Sequence, residues 1–164
     1  MTEKQLAKID KIISAISEDD QKPFREVAEY VVTLGYNPKL NAKETYADFI
    51  KSKHGKIIMK IDSAPGFPPR LAIRCDALPA WSGIFYKALE KQVDLLEGMG
   101  YTVRCWGCGK CDGTIGYAYS LTDGREGFLC GRGVIDLPTF SSENVAEVKE
   151  ALKAQDDFLM SNIP

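Results

Sequence analysis

Three cysteines lie close together in the segment CWGCGKCDG at positions 105–113. Two residues separate Cys108 from Cys111, and this spacing allows one tight turn to direct two thiolates at a single point, as in structural zinc sites. Such a site needs four ligands in a tetrahedral array. Cys105 precedes the pair and Cys130 follows it after 18 intervening residues. The sequence therefore predicts a structural zinc ion bound by Cys105, Cys108, Cys111 and Cys130.

Three other interpretations of these cysteines stay open, and the simplest is that they are free thiols with only a structural role. Cys108 and Cys111 are also spaced as a thiol redox or sensing pair, and the charge of Lys110 between them favours a thiolate. The pair does not begin a predicted helix, which is where such thiols gain most of their activation. An iron–sulfur cluster is less favoured, because the closely following fourth cysteine of the usual cluster motifs is missing.

The position of Cys130 sets a geometric condition on a zinc site. Asp123-Gly124 is a strong signal for a short hairpin turn, and a hairpin centred on that turn places Cys130 opposite Tyr117 or a neighbour. Since each strand residue spans about 3.3 Å, the cysteine segment must fold back over the sheet to reach Cys130. Cys75 and His54 are reserve ligands from earlier in the chain.

Aromatic and basic residues flank the cysteine segment on both sides. Tyr117 and Tyr119 alternate along one predicted strand and therefore share a face. With Trp106 and Arg132 they are the best candidates for ligand-binding side chains. Cross-strand packing of the same rings is the competing interpretation. The ligand itself, a small molecule or a protein, is not identified by these residues.

Patterns for other chemistries are weak. His54 is the single histidine, and its place in the basic turn KSKHGK is typical of a solvated turn residue. A Ser–His–Asp triad has no other base available. GCGKCDG lacks the Ser or Thr that follows Lys in a phosphate-binding loop. We therefore name no catalytic residue and expect a binding domain, with a thiol redox enzyme or sensor as the alternative.

Length, charge and hydropathy restrict the class of protein. The chain has 164 residues, a formal net charge of -2 and 45% hydrophobic residues, which suits a single domain over 1–164. Its acidic balance argues against a nucleic-acid partner. No apolar run approaches the roughly 18–20 residues that span a bilayer, and MTEKQLAKID lacks the apolar core of a secretory signal. We expect a cytoplasmic protein, in which thiols stay reduced.

Hydrophobic periodicity predicts the elements that must position these residues. The predicted helices are EKQLAKIDKIISAIS at the N-terminus, a second that begins near Pro23, a third over 83–98 and a fourth over 142–160. We expect Asp94, Glu97, Asp156 and Asp157 on helix exteriors. The first two predicted strands form a hairpin about Lys53-His54-Gly55. The later predicted strands are RLAIRC, YTVRCW and the two segments beside Asp123-Gly124.

The order of these elements suggests an internal repeat. Helix ends at Leu34-Gly35-Tyr36 and Met99-Gly100-Tyr101 each lead into strands, and Leu-Pro followed by an aromatic-Ser pair precedes two of the helices. The predicted fold is α+β: two tandem αβββ-like units, at 23–82 and 83–160, after an N-terminal helix. Their strands are expected to form one mostly antiparallel sheet with the helices packed on one face.

Overall fold

The computed structural model describes residues 1–75, 83–99, 116–130, 134–138 and 140–162. Within these ranges the helices are α1 (Glu3–Ile13), α2 (Glu18–Thr33), α3 (Gly83–Gly98) and α4 (Val145–Ser161), the last preceded by a 3-10 turn at Ser142–Asn144. The strands are β1 (Asn37–Leu40), β2 (Tyr46–Ile50), β3 (Ile57–Asp62), β4 (Arg70–Ile73), β5 (Gly116–Ser120), β6 (Glu126–Cys130) and β7 (Ile135–Leu137). The predicted α+β class is confirmed.

The described strands form two separate antiparallel sheets. The larger has five strands in the order β1-β2-β3-β4-β7, and the smaller is the β5–β6 hairpin. The expectation of one sheet shared by both halves of the chain is thus met only in part. Among the described strands of the second half only β7 joins the larger sheet, where Ile135 pairs with Ile73 of β4.

Strand alternation gives the five-stranded sheet one apolar and one polar face. Phe49, Met59, Ile73 and Ile135 lie side by side across four strands, and all are buried. They belong to the same buried cluster as side chains from all four described helices. The opposite face carries a row of charged residues, in which Lys60 Nζ lies 3.4 Å from Asp48 Oδ1. The helices therefore cover the apolar face, as the sequence predicts.

Helix α2 begins earlier than the sequence suggests. It begins at Glu18, and Pro23 lies inside the helix and is buried. The acidic residues Glu18, Asp19 and Asp20 form the first turn, where their charges stabilise the positive end of the helix dipole. The prediction of a start near Pro23 was wrong, because an acidic run is also typical of a linker between helices.

The other local predictions agree with the described elements. Helix α3 has the predicted bounds, and strands flank the expected turns about residues 53–55 and 123–124. Helix α1 begins with a capping box, in which Gln5 N donates to Thr2 Oγ1 and Thr2 N donates to Gln5 Oε1. The predicted strand YTVRCW lies outside the described residues. None of the helices in the described ranges is long and apolar enough to cross a membrane.

Candidate functional site

The β5–β6 hairpin carries the one predicted zinc ligand that the structure describes. Cys130 ends β6 opposite Gly116, one residue from the predicted partner Tyr117. Its thiol is half-buried and free. Cys105, Cys108 and Cys111 lie outside the described residues. In the described part of the chain no group of three or more His, Cys, Asp or Glu side chains is arranged to hold a metal ion. The four-cysteine site therefore stays a prediction.

The register nevertheless relates Cys130 to the cysteine segment through the chain. Gly116 is the first residue of β5, and Cys111 precedes it by five positions. Directly paired residues of antiparallel strands have Cα atoms about 4.5–5.5 Å apart. Cys130 thus lies beside the point at which the chain from Cys111 enters the sheet. The other described cysteine, Cys75, is buried, and its thiol contacts the carbonyl oxygen of Ile73.

The predicted ligand-binding side chains are only partly described. Trp106 and Arg132 lie outside the described residues, and for Tyr117 the structure describes the backbone alone. Tyr119 is buried, and burial raises the pKa of its hydroxyl. Its ring covers Gly127 on the paired strand, where a Cβ atom would lie 2.6 Å from Tyr119 Oη. Tyr119 thus packs within the hairpin, and the ligand-binding role of the set stays a prediction.

Contacts with α3 hold the turn of this hairpin. Arg125 Nη1 donates to Asp94 and to Glu97 of α3, both at 2.8 Å. Arg125 Nε donates to Asp123 Oδ2 at 2.7 Å, and this bond, with a second from the Arg125 backbone N–H, lowers the pKa of the Asp123 carboxyl. Tyr86 of α3 also donates a hydrogen bond to Thr122 Oγ1. Asp94 and Glu97 are on the helix exterior as expected, but they bind a specific partner.

A cavity of about 520 Å³ lies at the end of the larger sheet where β3 and β7 end and β4 begins, beside a proline-rich loop over residues 64–69. The proline-rich loop contributes Phe67 and Pro68, the strands contribute Asp62, Arg70 and Asp136, and α3 contributes Lys91. The only sequence signal was the loop APGFPPR itself, since a phenylalanine between prolines in a surface loop has little means of reaching the core. Phe67 is 74% exposed.

The charged side chains of this cavity are unequally paired. Arg70 lies between two carboxylates, with Nη2 2.6 Å from Asp62 and Nη1 3.3 Å from Asp136. The bond to Asp62 is the main cause of the raised pKa of Arg70. Asp62 also accepts a hydrogen bond from the backbone of Ala64. Lys91 is exposed and has no ion-pair partner in the part of the chain that the structure describes.

A second polar cluster is buried between the β2–β3 turn and α4. Tyr36 is fully buried and donates a hydrogen bond to Asp156 Oδ1 at 2.9 Å. The same oxygen accepts a bond from Lys51 Nζ at 2.7 Å. His54 Nε2 lies 3.2 Å from the Tyr36 hydroxyl. The expectation of an exterior Asp156 was therefore wrong, because its side chain is buried against the Tyr36 phenol. His54 is half-buried, so the expectation of a solvated side chain is met only in part.

The hydrogen bonds of this cluster determine which ring nitrogen of His54 carries the proton. His54 Nδ1 accepts from the backbone N–H of Lys56, so the proton of the neutral ring is on Nε2 and is donated to Tyr36. Burial and the charge of Lys51 lower the pKa of His54. Burial and the Asp156 carboxylate raise the pKa of Tyr36. Hydrogen bonds thus link the turn to α4 through His54, Tyr36, Asp156 and Lys51 in that order. The linked groups are a neutral imidazole, a neutral phenol and one ion pair.

Comparison of the chain with protein-family models, with curated proteins and with solved structures finds no match.

Proposed function

We propose that the protein is a cytoplasmic binding domain in which a structural zinc ion holds the cysteine segment to the β5–β6 hairpin. The ligands are Cys105, Cys108, Cys111 and Cys130. The observation that carries the proposal is the register of the hairpin, which pairs Cys130 with Gly116 at the entry of the chain from Cys111. Reduced thiols in the cytoplasm would be available to the metal.

A zinc ion at Cys130 would have a structural role in this hairpin. A two-stranded sheet is marginally stable by itself in water. Arg125 and Thr122 hold the turn of the hairpin to α3, and Leu129 packs in the core. Cys130 lies at the opposite end of the hairpin from these turn contacts. A zinc ion at that end would hold the second end of the hairpin and order the segment that carries Trp106.

Metal content tests the proposal directly. Freshly reduced, untagged protein is expected to contain one zinc ion per chain by mass spectrometry under native conditions. Cys108→Ser, Cys111→Ser and Cys130→Ser are each expected to lose the metal, because three remaining thiolates leave a closed site incomplete. Cys75→Ala is the matched control and is expected to keep it, since the Cys75 thiol is buried beside β4.

Three outcomes would contradict this zinc site. Zinc-free wild-type protein would remove the proposal, and an acidic Cys108 or Cys111 thiol in that protein would favour the redox alternative. Full zinc content in Cys130→Ser would instead show that Cys130 is not a zinc ligand. Loss of zinc from Cys75→Ala would contradict the assignment of the ligands, since Cys75 is a reserve ligand from earlier in the chain.

We also propose that residues 23–82 and 83–160 are two copies of one αβββ-like unit within a single domain. In both halves a helix, α2 or α3, precedes antiparallel strands, and the described part of the first half has four of them while that of the second has three. Gly35 has a φ of +92° after α2, the left-handed conformation that favours glycine at a helix end. The corresponding Gly100 lies outside the described residues. The repeat rests on these shared helix ends and on the order of the elements.

A further inference from the structure

We propose that the cavity beside the proline-rich loop binds a small zwitterionic aromatic molecule of the kind represented by an aromatic α-amino acid. This site is separate from the cysteine segment and does not depend on zinc. Its volume of about 520 Å³ lies within the range of small-molecule sites, roughly 300–1,000 Å³. The lining combines an apolar wall with a few charged groups, which is the usual composition of such sites.

The apolar wall is formed by a loop with restricted backbone freedom. Phe67 N donates to the carbonyl of Ala64 at 3.3 Å, and Gly66 has a φ of +84°, a conformation that glycine adopts without strain. Pro68 and Pro69 fix the backbone φ that follows. The loop therefore presents the Phe67 ring, 74% exposed, in a conformation already ordered before binding. An aromatic ligand would cover this ring by stacking or edge contact.

A ligand with one positive and one negative group would complement the charged side chains that line the cavity. Asp62 and Asp136 share the single guanidinium of Arg70, so these three side chains carry one excess negative charge. Asp136 holds most of that excess, because its contact with Arg70 is the longer one and its side chain is 48% exposed. Lys91 contributes a cation from α3. An ammonium near Asp136 and a carboxylate near Lys91 would complement both.

Isothermal titration calorimetry with L-tryptophan tests the site. We expect saturable binding with one site per chain. L-tryptophanamide lacks the carboxylate and N-acetyl-L-tryptophan lacks the ammonium, and each is expected to bind about fivefold more weakly, the upper end for a solvent-accessible ion pair. Phe67→Ala is expected to weaken all three ligands about tenfold through loss of the aromatic contact.

Variants of the charged residues identify which group recognises which end. Lys91→Gln should abolish the preference for L-tryptophan over its amide, and Asp136→Asn should abolish the preference over the N-acetyl compound. Two controls are matched: Lys87→Gln changes an exposed lysine one turn away on α3, and Phe158→Ala removes an exposed ring on α4. Neither residue lines the cavity, and neither change should affect binding.

The proposal fails if L-tryptophan gives no saturable heat at millimolar concentration. It also fails if Phe67→Ala binds as tightly as the wild type, or if Phe158→Ala weakens binding equally. Retention of both ligand preferences in Lys91→Gln and Asp136→Asn would likewise overturn the charge assignment. None of these results bears on the zinc site, which is measured by metal content.

Discussion

Replacement of Asp156 by Asn tests whether the buried cluster at α4 stabilises the fold. The Asp156 carboxylate accepts hydrogen bonds from Lys51 and from Tyr36, residues more than a hundred positions away in the chain. The side chains of Lys51 and Asp156 are only 13% and 10% exposed. Asn has nearly the same shape but no charge, so the substitution removes the counter-ion of Lys51 and leaves the packing almost unchanged.

The expected loss of stability follows from these contacts. Removing one partner of a buried ion pair costs about 3–5 kcal/mol, because the other charge stays buried without compensation. The amide oxygen of Asn can still accept the bond from Tyr36 at 2.9 Å or from Lys51 at 2.7 Å. We therefore expect Asp156→Asn to lower the free energy of unfolding by about 3 kcal/mol, a large part of the roughly 5–15 kcal/mol of a typical domain.

Urea denaturation followed by circular dichroism measures this change. Asp157→Asn is the matched control, since Asp157 is the next residue and pairs with Lys153 on the exposed side of α4. Its midpoint should stay close to that of the wild type, because exposed ion pairs contribute little. If Asp156→Asn is no more destabilising than Asp157→Asn, the cluster does not stabilise the fold and the argument from burial is wrong.

Two further predictions concern His54 and Gly127. The folded-state pKa of His54 lies below its ordinary value of 6.5, so the unfolded chain binds a proton first and stability should fall as pH decreases below about 6.5. Urea midpoints measured between about pH 7 and pH 5 should drop more for the wild type than for His54→Gln, and equal slopes would contradict this coupling. Gly127→Ala places a methyl group 2.6 Å from Tyr119 Oη and should destabilise the protein by about 1–3 kcal/mol in the same assay. Gly98→Ala, where a Cβ meets nothing within 4 Å, is the control, and equal effects of the two changes would refute the packing argument.

Local signals in the sequence were sufficient for most of the described elements. The turn at Lys53-His54-Gly55 and the bounds of α3 depend on residues adjacent in the chain, and both were predicted. The start of α2 was missed because carboxylates suit a linker and a first helical turn equally well. The separate β5–β6 sheet was missed because strand partners are chosen by long-range packing, which periodicity does not encode.

The candidate functional residues also divide into those with a local sequence signal and those brought together only by the fold. The cysteine spacing is local and yields a definite hypothesis, whereas the cavity brings together Asp62, Lys91 and Asp136 from three separate elements. No motif joins those residues in the sequence. The inward position of Asp156 had a local signal that was missed, since Asp156 lies four residues after Leu152 and three before Leu159 on the buried face of α4. Its partners Tyr36 and Lys51 had none, because they are far from Asp156 in the sequence.

The pairing of β4 with β7 has a consequence for the order of folding. During synthesis β4 emerges long before β7, so the backbone of Leu71, Ala72 and Ile73 has no partner on one side while α3 and the hairpin are being made. An unpaired apolar strand is a template for association with other chains. Nascent protein therefore exposes this template until β7 pairs with β4, after which the three-residue β7 is the shorter edge of the described sheet.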